Sequence, residues 1–178
     1  MDARSEYVYN IVMLNLLRPH QTILRLEDLD CRALLERGIR GIMLDLDNTL
    51  APWQMPKVTP AVEAWFGAMW QSGLRACLVT NAAKAARVRP VADRLGLPWV
   101  IRAKKPLPGG FKRGMRLLDT KPGETAMIGD MLFTDIFGGN RLGLYTILVN
   151  PISSHEALLA RLVQRPLERL IGRVPKCA

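Results

Sequence analysis

Cysteine and histidine are scarce in this sequence. The three cysteines, Cys31, Cys77 and Cys177, lie far apart, and no CxxC pair or local Cys/His cluster occurs. This spacing excludes the usual ligand patterns of a structural zinc site. Scattered thiols in odd number are typical of proteins in a reducing cytosol. The histidines His20 and His155 are also isolated, and we interpret both as surface or packing residues.

Long hydrophobic runs are absent as well. No run of apolar residues approaches the roughly 18 that a membrane-spanning helix needs. The most apolar stretch near the start, residues 7–17, is interrupted by Asn10 and Asn15 and has no small-residue cleavage site, so a secretory signal is not expected. We therefore predict a cytoplasmic protein without a transmembrane segment, and peripheral attachment to the inner face of the membrane stays open.

Basic residues are in clear excess. The 178 residues include 25 Lys and Arg against 16 Asp and Glu, which gives a formal charge of +9 and a pI near 10. A basic surface attracts polyanions, which include nucleic acid, anionic lipid headgroups and phosphorylated substrates. A solvated positive surface without a dedicated partner is the alternative. The length and the 49% hydrophobic content predict one globular domain, residues 1–178, that needs no disulfides.

Short apolar segments alternate with amphipathic ones along the chain. Such alternation predicts an α/β fold with a mainly parallel sheet covered on both faces. The five predicted strands are 41–46, 74–79, 98–102, 125–129 and 144–149. The predicted helices between and after them are one starting at Thr59-Pro60, 82–95 with a possible break at Pro90, 110–118, 131–137 and 154–171.

The first 40 residues are predicted to form a helical extension of the core at 41–150. Two amphipathic helices, at about 8–17 and 27–37, either pack on the sheet or lie on a membrane surface. Packing is favoured, because the polar face of 8–17 is thin and nearly uncharged. Residues 151–178 are interpreted as a C-terminal helix and tail.

Polar residues that could take part in catalysis or ligand binding lie at or just after the ends of four predicted strands. These residues are, in chain order, Asp45, Asp47, Thr80, Asn81, Lys105, Asp130 and Asp135. Each segment alone is ordinary turn or cap chemistry. Together they would converge at the edge where parallel strands end. Clustered carboxylates repel unless a cation lies among them, and all-oxygen sites favour Mg²⁺, while a hydroxyl and an ammonium group suit a bound phosphoryl group.

The ordered combination resembles the haloacid dehalogenase (HAD) superfamily. The run DLDNT at 45–49 is similar to its DxDxT signature, and Thr80, Lys105 and GDMLFTD at 129–135 are similar to its second, third and fourth motifs. The resemblance covers about residues 40–150. It implies a Rossmann-like three-layer sandwich with a five-stranded sheet.

The resemblance also implies a role for each residue. Asp45 would be the nucleophile that forms an aspartyl-phosphate, and Asp47 the general acid and base. Thr80 would hold the phosphoryl oxygens together with Asn81. Lys105, which directly precedes Pro106, would balance the charge of nucleophile and phosphate, with the neighbouring Lys104 as the alternative for this role.

The implied metal is Mg²⁺. Asp130 would bind it with Asp45 and the backbone carbonyl of Asp47, and Asp135 would support the metal ligands. A second aspartate two residues after the nucleophile favours phosphoryl transfer over dehalogenation, because the leaving alkoxide needs a proton. The intervals between Asp45 and Thr80 and between Thr80 and Lys105 each have room for one helix and its connections, so no cap domain is expected.

More narrowly, several stretches resemble the cap-less phosphatases of the YqeG type. These are similar to phosphatidylglycerophosphate phosphatases, which implies dephosphorylation of phosphatidylglycerophosphate to phosphatidylglycerol. The run Gly138-Gly139-Asn140-Arg141 fits this group, but a helix stop and turn explains it equally. Two alternatives stay open: a phosphatase for a soluble or macromolecular phosphoester, and a basic module that binds RNA or the ribosome on a HAD scaffold.

Overall fold

The computed structural model describes residues 14–52, 55 and 57–153. Within them, six strands form one parallel sheet in the order β1-β6-β5-β2-β3-β4. The strands are β1 (Gln21–Ile23), β2 (Gly41–Leu44), β3 (Arg75–Val79), β4 (Trp99–Val100), β5 (Thr125–Gly129) and β6 (Tyr145–Val149). The predicted α/β class and parallel sheet are confirmed, although the sheet has six strands and not five.

The strand that the sequence did not reveal is β1, at one edge of the sheet. It has three residues, of which only Ile23 is buried. Its backbone pairs with β6, where Ile23 lies opposite Val149. A segment this short and polar has no hydrophobic period to detect, since its conformation depends on a partner more than 120 residues away.

Helices cover both faces of the sheet. Their bounds are α1 (Cys31–Glu36), α2 (Pro60–Gln71), α3 (Ala85–Leu95), α4 (Pro108–Leu118) and α5 (Phe137–Asn140). A single wide helical turn, Leu132–Ile136, leads directly into α5. The predicted cap of α2 is confirmed, because the side chain of Thr59 accepts a hydrogen bond from the Val62 N–H at 3.3 Å.

Two predicted helices begin several residues later than expected. Where a helix was predicted at 27–37, the chain first forms a short turn (Leu26–Asp28). Helix α1 starts only after Asp30, whose side chain accepts the Arg32 N–H. Helix α3 starts at Ala85 and continues through the exposed Pro90 without a break. The predicted helix 154–171 and most of 8–17 lie outside the described residues.

The core is divided between the two faces of the sheet. In β2, Ile42 and Leu44 join the core that contains Phe66 of α2, whereas Met43 joins the core that contains Phe111 of α4. This alternation follows the two-residue period of a strand. It gives the three-layer sandwich expected from the resemblance.

The strand order creates a crevice at the carboxyl edge, by which we mean the edge where the parallel strands end. The chain runs from β2 to β3 and β4 on one side and then crosses back to place β5 and β6 on the other. The segments that follow β2 and β5 therefore diverge. Such a switch point is the usual ligand site of an open parallel sheet.

The described residues between Asp45 and Lys105 form only α2, β3, α3 and β4, which belong to the sheet and the helices that cover it. None of the described residues belongs to a helix with the length and apolar content required to cross a bilayer.

Candidate active site

The predicted site residues meet at the carboxyl edge. Asp45 directly follows β2, and its backbone N–H donates to the carbonyl of Ile128 in β5. Thr80 directly follows β3, and its N–H donates to the carbonyl of Val100 in β4. Asp130 directly follows β5. Continued pairing of the strands therefore places three of the predicted residues side by side.

Lys105 is the cation of this site. Its Nζ lies 2.6 Å from Oδ1 of Asp45 and 2.6 Å from Oδ1 of Asp135, and its side chain is 2% exposed. The neighbouring Lys104 is exposed. Of the two lysines that the sequence offered, the structure therefore brings only Lys105 to the carboxylates.

Asp45, Asp130 and Asp135 form a buried acidic cluster. Their carboxylate oxygens lie within 4.8 Å of one another. Burial, together with the charges of Asp135 and Asp45, raises the pKa of Asp130 to about 8. Burial also raises the pKa of Asp135 to about 6, although Lys105 opposes the shift. One ammonium group thus does not balance three carboxylates, and oxygen ligands with excess negative charge suit a hard divalent cation.

The pKa of Asp130 predicts how metal-free stability depends on pH. A carboxyl pKa that is higher in the folded state means that folding takes up a proton between about pH 4 and pH 8, so raising the pH through this range favours unfolding. In EDTA, the wild type should lose up to about 1.4 kcal/mol per pH unit relative to Asp130→Asn, which cannot titrate there. Urea unfolding of both proteins at several pH values measures this difference. Parallel pH dependences would contradict the assigned shift.

Asp135 is held in place by its own loop. Its Oδ2 accepts the Met131 N–H at 3.2 Å. A Cβ atom built on Gly129 would lie 2.3 Å from this same oxygen. Only glycine therefore leaves room for the buried carboxylate at the end of β5, which is a physical reason for a Gly-Asp pair there.

Asp47 points to a different partner. Its Oδ1 lies 2.5 Å from Nη2 of Arg87, in the first turn of α3, and the side chain is partly exposed. The carboxylate group of Asp47 is not a member of the buried cluster. Sequence reasoning missed Arg87. A helix that follows a strand begins at the carboxyl edge, so a basic residue in the first turn of α3 was the available signal.

Asn48 and Thr49 support the loop after β2. Asn48 adopts a left-handed backbone conformation (φ 57°), which asparagine tolerates better than most residues. Its side-chain oxygen accepts a hydrogen bond from the hydroxyl of Ser153. The hydroxyl of Thr49 lies 3.5 Å from Oδ1 of Asp130, at the limit of a hydrogen bond. These contacts connect the DLDNT segment to the segments after β5 and β6.

Thr80 and Asn81 complete the site on its β3 side. The buried Thr80 hydroxyl accepts the Ala82 N–H at 3.1 Å. The amide group of Asn81 clamps the backbone of Lys105, because its oxygen accepts the Lys105 N–H at 2.8 Å and its nitrogen donates to the Lys105 carbonyl at 3.1 Å. A substrate-binding role for Asn81 stays a prediction, but this contact shows how it positions the lysine.

The Gly138–Asn140 run packs in the interior of the protein. A Cβ at Gly138 would lie 2.8 Å from the Phe111 ring, and one at Gly139 would lie 2.7 Å from the Thr146 side chain. The Asn140 amide donates to the carbonyls of Leu16 and Arg18. The helix stop that the sequence offered for this run is present, because α5 ends at Asn140, and close packing explains the two glycines. Arg141 is exposed, with its guanidinium 5.4 Å from the centre of the Phe137 ring.

Comparison with known proteins identifies phosphatases that are similar to this chain. A family model described as mitochondrial PGP phosphatase matches residues 2–153. The Bacillus subtilis protein named "Probable phosphatase YqeG" is 40% identical over 138 residues, which are 78% of this chain and 79% of that protein. The chloroplastic phosphatidylglycerophosphate phosphatase 1 of Chlamydomonas reinhardtii is 31% identical over 147 residues, 76% of this chain and 54% of that protein.

The chain thus spans about half the length of the chloroplast relatives that it matches. Among solved structures, the 3-deoxy-D-manno-octulosonate 8-phosphate phosphatase of Yersinia pestis superposes with a TM-score of 0.50 at 16% identity, covering 76% of this chain and 88% of that one. Likeness at this identity concerns the fold alone. The family match and the sequence relatives show that the chain belongs to the PGP phosphatase family.

Proposed function

We propose that this protein hydrolyses phosphatidylglycerophosphate to phosphatidylglycerol and phosphate, with Mg²⁺ bound and with an aspartyl-phosphate on Asp45. One observation carries the proposal: the buried ammonium group of Lys105 contacts both Asp45 and Asp135 beside Asp130. Phosphoryl transfer depends mainly on positioning and on charge stabilisation, and this arrangement supplies both.

The buried acidic cluster fits a divalent cation by its chemistry. All of its donors are carboxylate oxygens, and the raised pKa of Asp130 reflects charge that Lys105 alone does not balance. We assign Asp45 and Asp130 as ligands together with the backbone carbonyl of Asp47, with Asp135 in a supporting position. When bound, Mg²⁺ would offset the negative charge of phosphate and carboxylates.

Asp45 acts as the nucleophile. One of its carboxylate oxygens forms a bond to phosphorus while the bond to the ester oxygen breaks. Lys105 offsets the charge on the carboxylate and the phosphoryl oxygens, and the buried Thr80 hydroxyl donates to one of these oxygens.

Asp47 moves the protons. In its acid form it protonates the leaving ester oxygen, and as a carboxylate it then takes a proton from the water that attacks phosphorus and releases Asp45. The net reaction consumes the phosphate ester and water and yields the alcohol and phosphate. The Asp47 carboxylate contacts Arg87 and is not a member of the buried cluster, so it is separate from the side chains assigned to the metal, which supports a role in proton transfer.

The assignment of the lipid substrate is supported by three observations. Three relatives carry this activity in their names. The +9 charge attracts anionic headgroups. The described residues between the motifs form no cap over the carboxyl edge, which suits a substrate that a surface presents.

Phosphate release measures this directly. We expect Mg²⁺-dependent release from phosphatidylglycerophosphate in phosphatidylcholine vesicles, little release from glycerol 3-phosphate, and loss of both in EDTA, because the acidic cluster then lacks its cation. Readdition of Mg²⁺ should restore activity. Asp45→Asn is the inactive control, and Asp93→Asn, the same change at an exposed site on α3, is the active one.

Other results would select another function. Release from soluble esters but not from the lipid would identify a soluble phosphoester as the substrate. Full activity in EDTA would show that hydrolysis does not require a divalent metal ion. Absence of phosphatase activity with RNA binding that persists in Asp45→Asn would favour a binding module on this scaffold.

A further inference from the structure

Large apolar side chains are exposed mainly at the carboxyl edge. Of the eight such side chains among the described residues, two lie near the C-terminal ends of helices, Trp70 in α2 and Leu117 in α4. The other six lie in segments that follow strands, and we call them the apolar rim: Leu24, Met55, Leu107, Met131, Phe133 and Ile152, between 42% and 69% exposed.

The members of the apolar rim follow five of the six strands. Leu24 follows β1, Ile152 follows β6, Met131 and Phe133 follow β5, and Met55 and Leu107 come after β2 and β4. Single exposed apolar residues are normal on any protein surface. Their concentration around the entrance of a buried polar site is unusual. Such patches mark contact with a partner or a membrane.

Cations accompany the apolar rim. The exposed residues Lys57, Lys84, Arg102 and Lys104 lie in the segments that follow β2, β3 and β4. In these segments the apolar rim has only two members, Met55 and Leu107, so the cations occupy the part of the edge that has few apolar side chains. Apolar side chains surrounded by Lys and Arg are typical of surfaces that insert shallowly between anionic lipid headgroups.

We propose that the apolar rim and these four cations dock the carboxyl edge on an anionic lipid bilayer. The inference rests on the proposed function, since it names the surface that presents the substrate. Asp45 is 8% exposed, so a phosphate must enter the crevice to reach it. Insertion of the rim brings the headgroup layer to the crevice, and the lipid tail then stays in the bilayer.

The test measures sedimentation of the full chain with vesicles of phosphatidylglycerol and phosphatidylcholine, which contain no substrate. We expect the double variant Leu24→Ser/Ile152→Ser to bind about tenfold or more weakly than the wild type, because two inserted side chains are removed. The control, Trp70→Ser/Leu117→Ser, removes two apolar side chains that are exposed elsewhere, by 40% and 48%, and should bind like the wild type. Vesicles of phosphatidylcholine alone should bind the wild type less.

The activity of the same proteins separates this inference from the proposed function. The rim variant should keep its hydrolysis of p-nitrophenyl phosphate and lose hydrolysis of vesicle-borne lipid. Rim-dependent vesicle binding without hydrolysis of the lipid would overturn the proposed substrate and keep the docking surface. Hydrolysis of the lipid in detergent micelles without vesicle binding would overturn the docking surface and keep the proposed substrate.

Two further outcomes would overturn the docking surface. Equal vesicle binding by the two double variants would show that the apolar rim is not the contact. A wild type that stays off vesicles but self-associates in size-exclusion chromatography, with a monomeric rim variant, would show that a second copy of the chain covers the rim.

Discussion

Asp45→Asn is expected to lower phosphatase turnover by about 10⁴-fold or more, because a carboxamide cannot form the acyl-phosphate bond. The fold should persist. Asparagine has nearly the shape of aspartate, the backbone N–H of residue 45 still donates to Ile128, and Lys105 keeps its second partner, Asp135. Loss of one of three crowded carboxylates should leave the metal-free melting temperature unchanged or higher.

The measurement combines phosphate release with thermal unfolding followed by circular dichroism. Acid quenching during turnover of a ³²P-labelled substrate adds a direct readout, since label should remain on the wild-type protein and not on Asp45→Asn. Asp93→Asn, at an exposed position, should match the wild type in all three assays. Turnover by Asp45→Asn within tenfold of the wild type would disprove the role of this residue.

The centre of this fold was predictable because its segments carry their own signals. Residues 41–44 are a continuous apolar run, as a strand buried on both faces requires, and aspartates follow it directly. The edges were less predictable. Trp99–Val100 is a strand of two residues, and β1 buries only Ile23. Both depend on pairing with a neighbouring strand, which no local pattern reports.

The site shows the same division between local and long-range information. Which residues come to the carboxyl edge followed from strand ends and from the motif order. Which lysine enters the buried cluster did not, because Lys104 and Lys105 are adjacent and equally basic. Lys105 is the one that enters the cluster, because Asn81 holds its backbone and its side chain is buried. The pairing of Asp47 with Arg87 spans 40 positions and needs a folded α3 to exist.

Lys105→Met should have the second large effect, this time on stability as well as on activity. Methionine keeps a similar length but removes the charge that contacts Asp45 and Asp135. Three buried carboxylates then remain without a cation. Removal of one partner of a buried ion pair costs about 3–5 kcal/mol, so we expect a loss of that size in the metal-free free energy of unfolding. Turnover should be lost too, since Lys105 offsets charge on the phosphoryl group.

Urea unfolding with and without Mg²⁺ measures the first effect, and Mg²⁺ should restore part of the lost stability because it supplies the missing positive charge. Lys104→Met is the matched control, since it removes the same charge one position earlier from an exposed side chain, and it should stay within about 0.5 kcal/mol of the wild type. If Lys105→Met does not fold, the double variant Lys105→Met/Asp135→Asn decides the question, because it also removes one of the carboxylates left without a partner. Equal effects of the two lysine substitutions, or a double variant no more stable than Lys105→Met, would show that the buried ion pairs do not hold this site together.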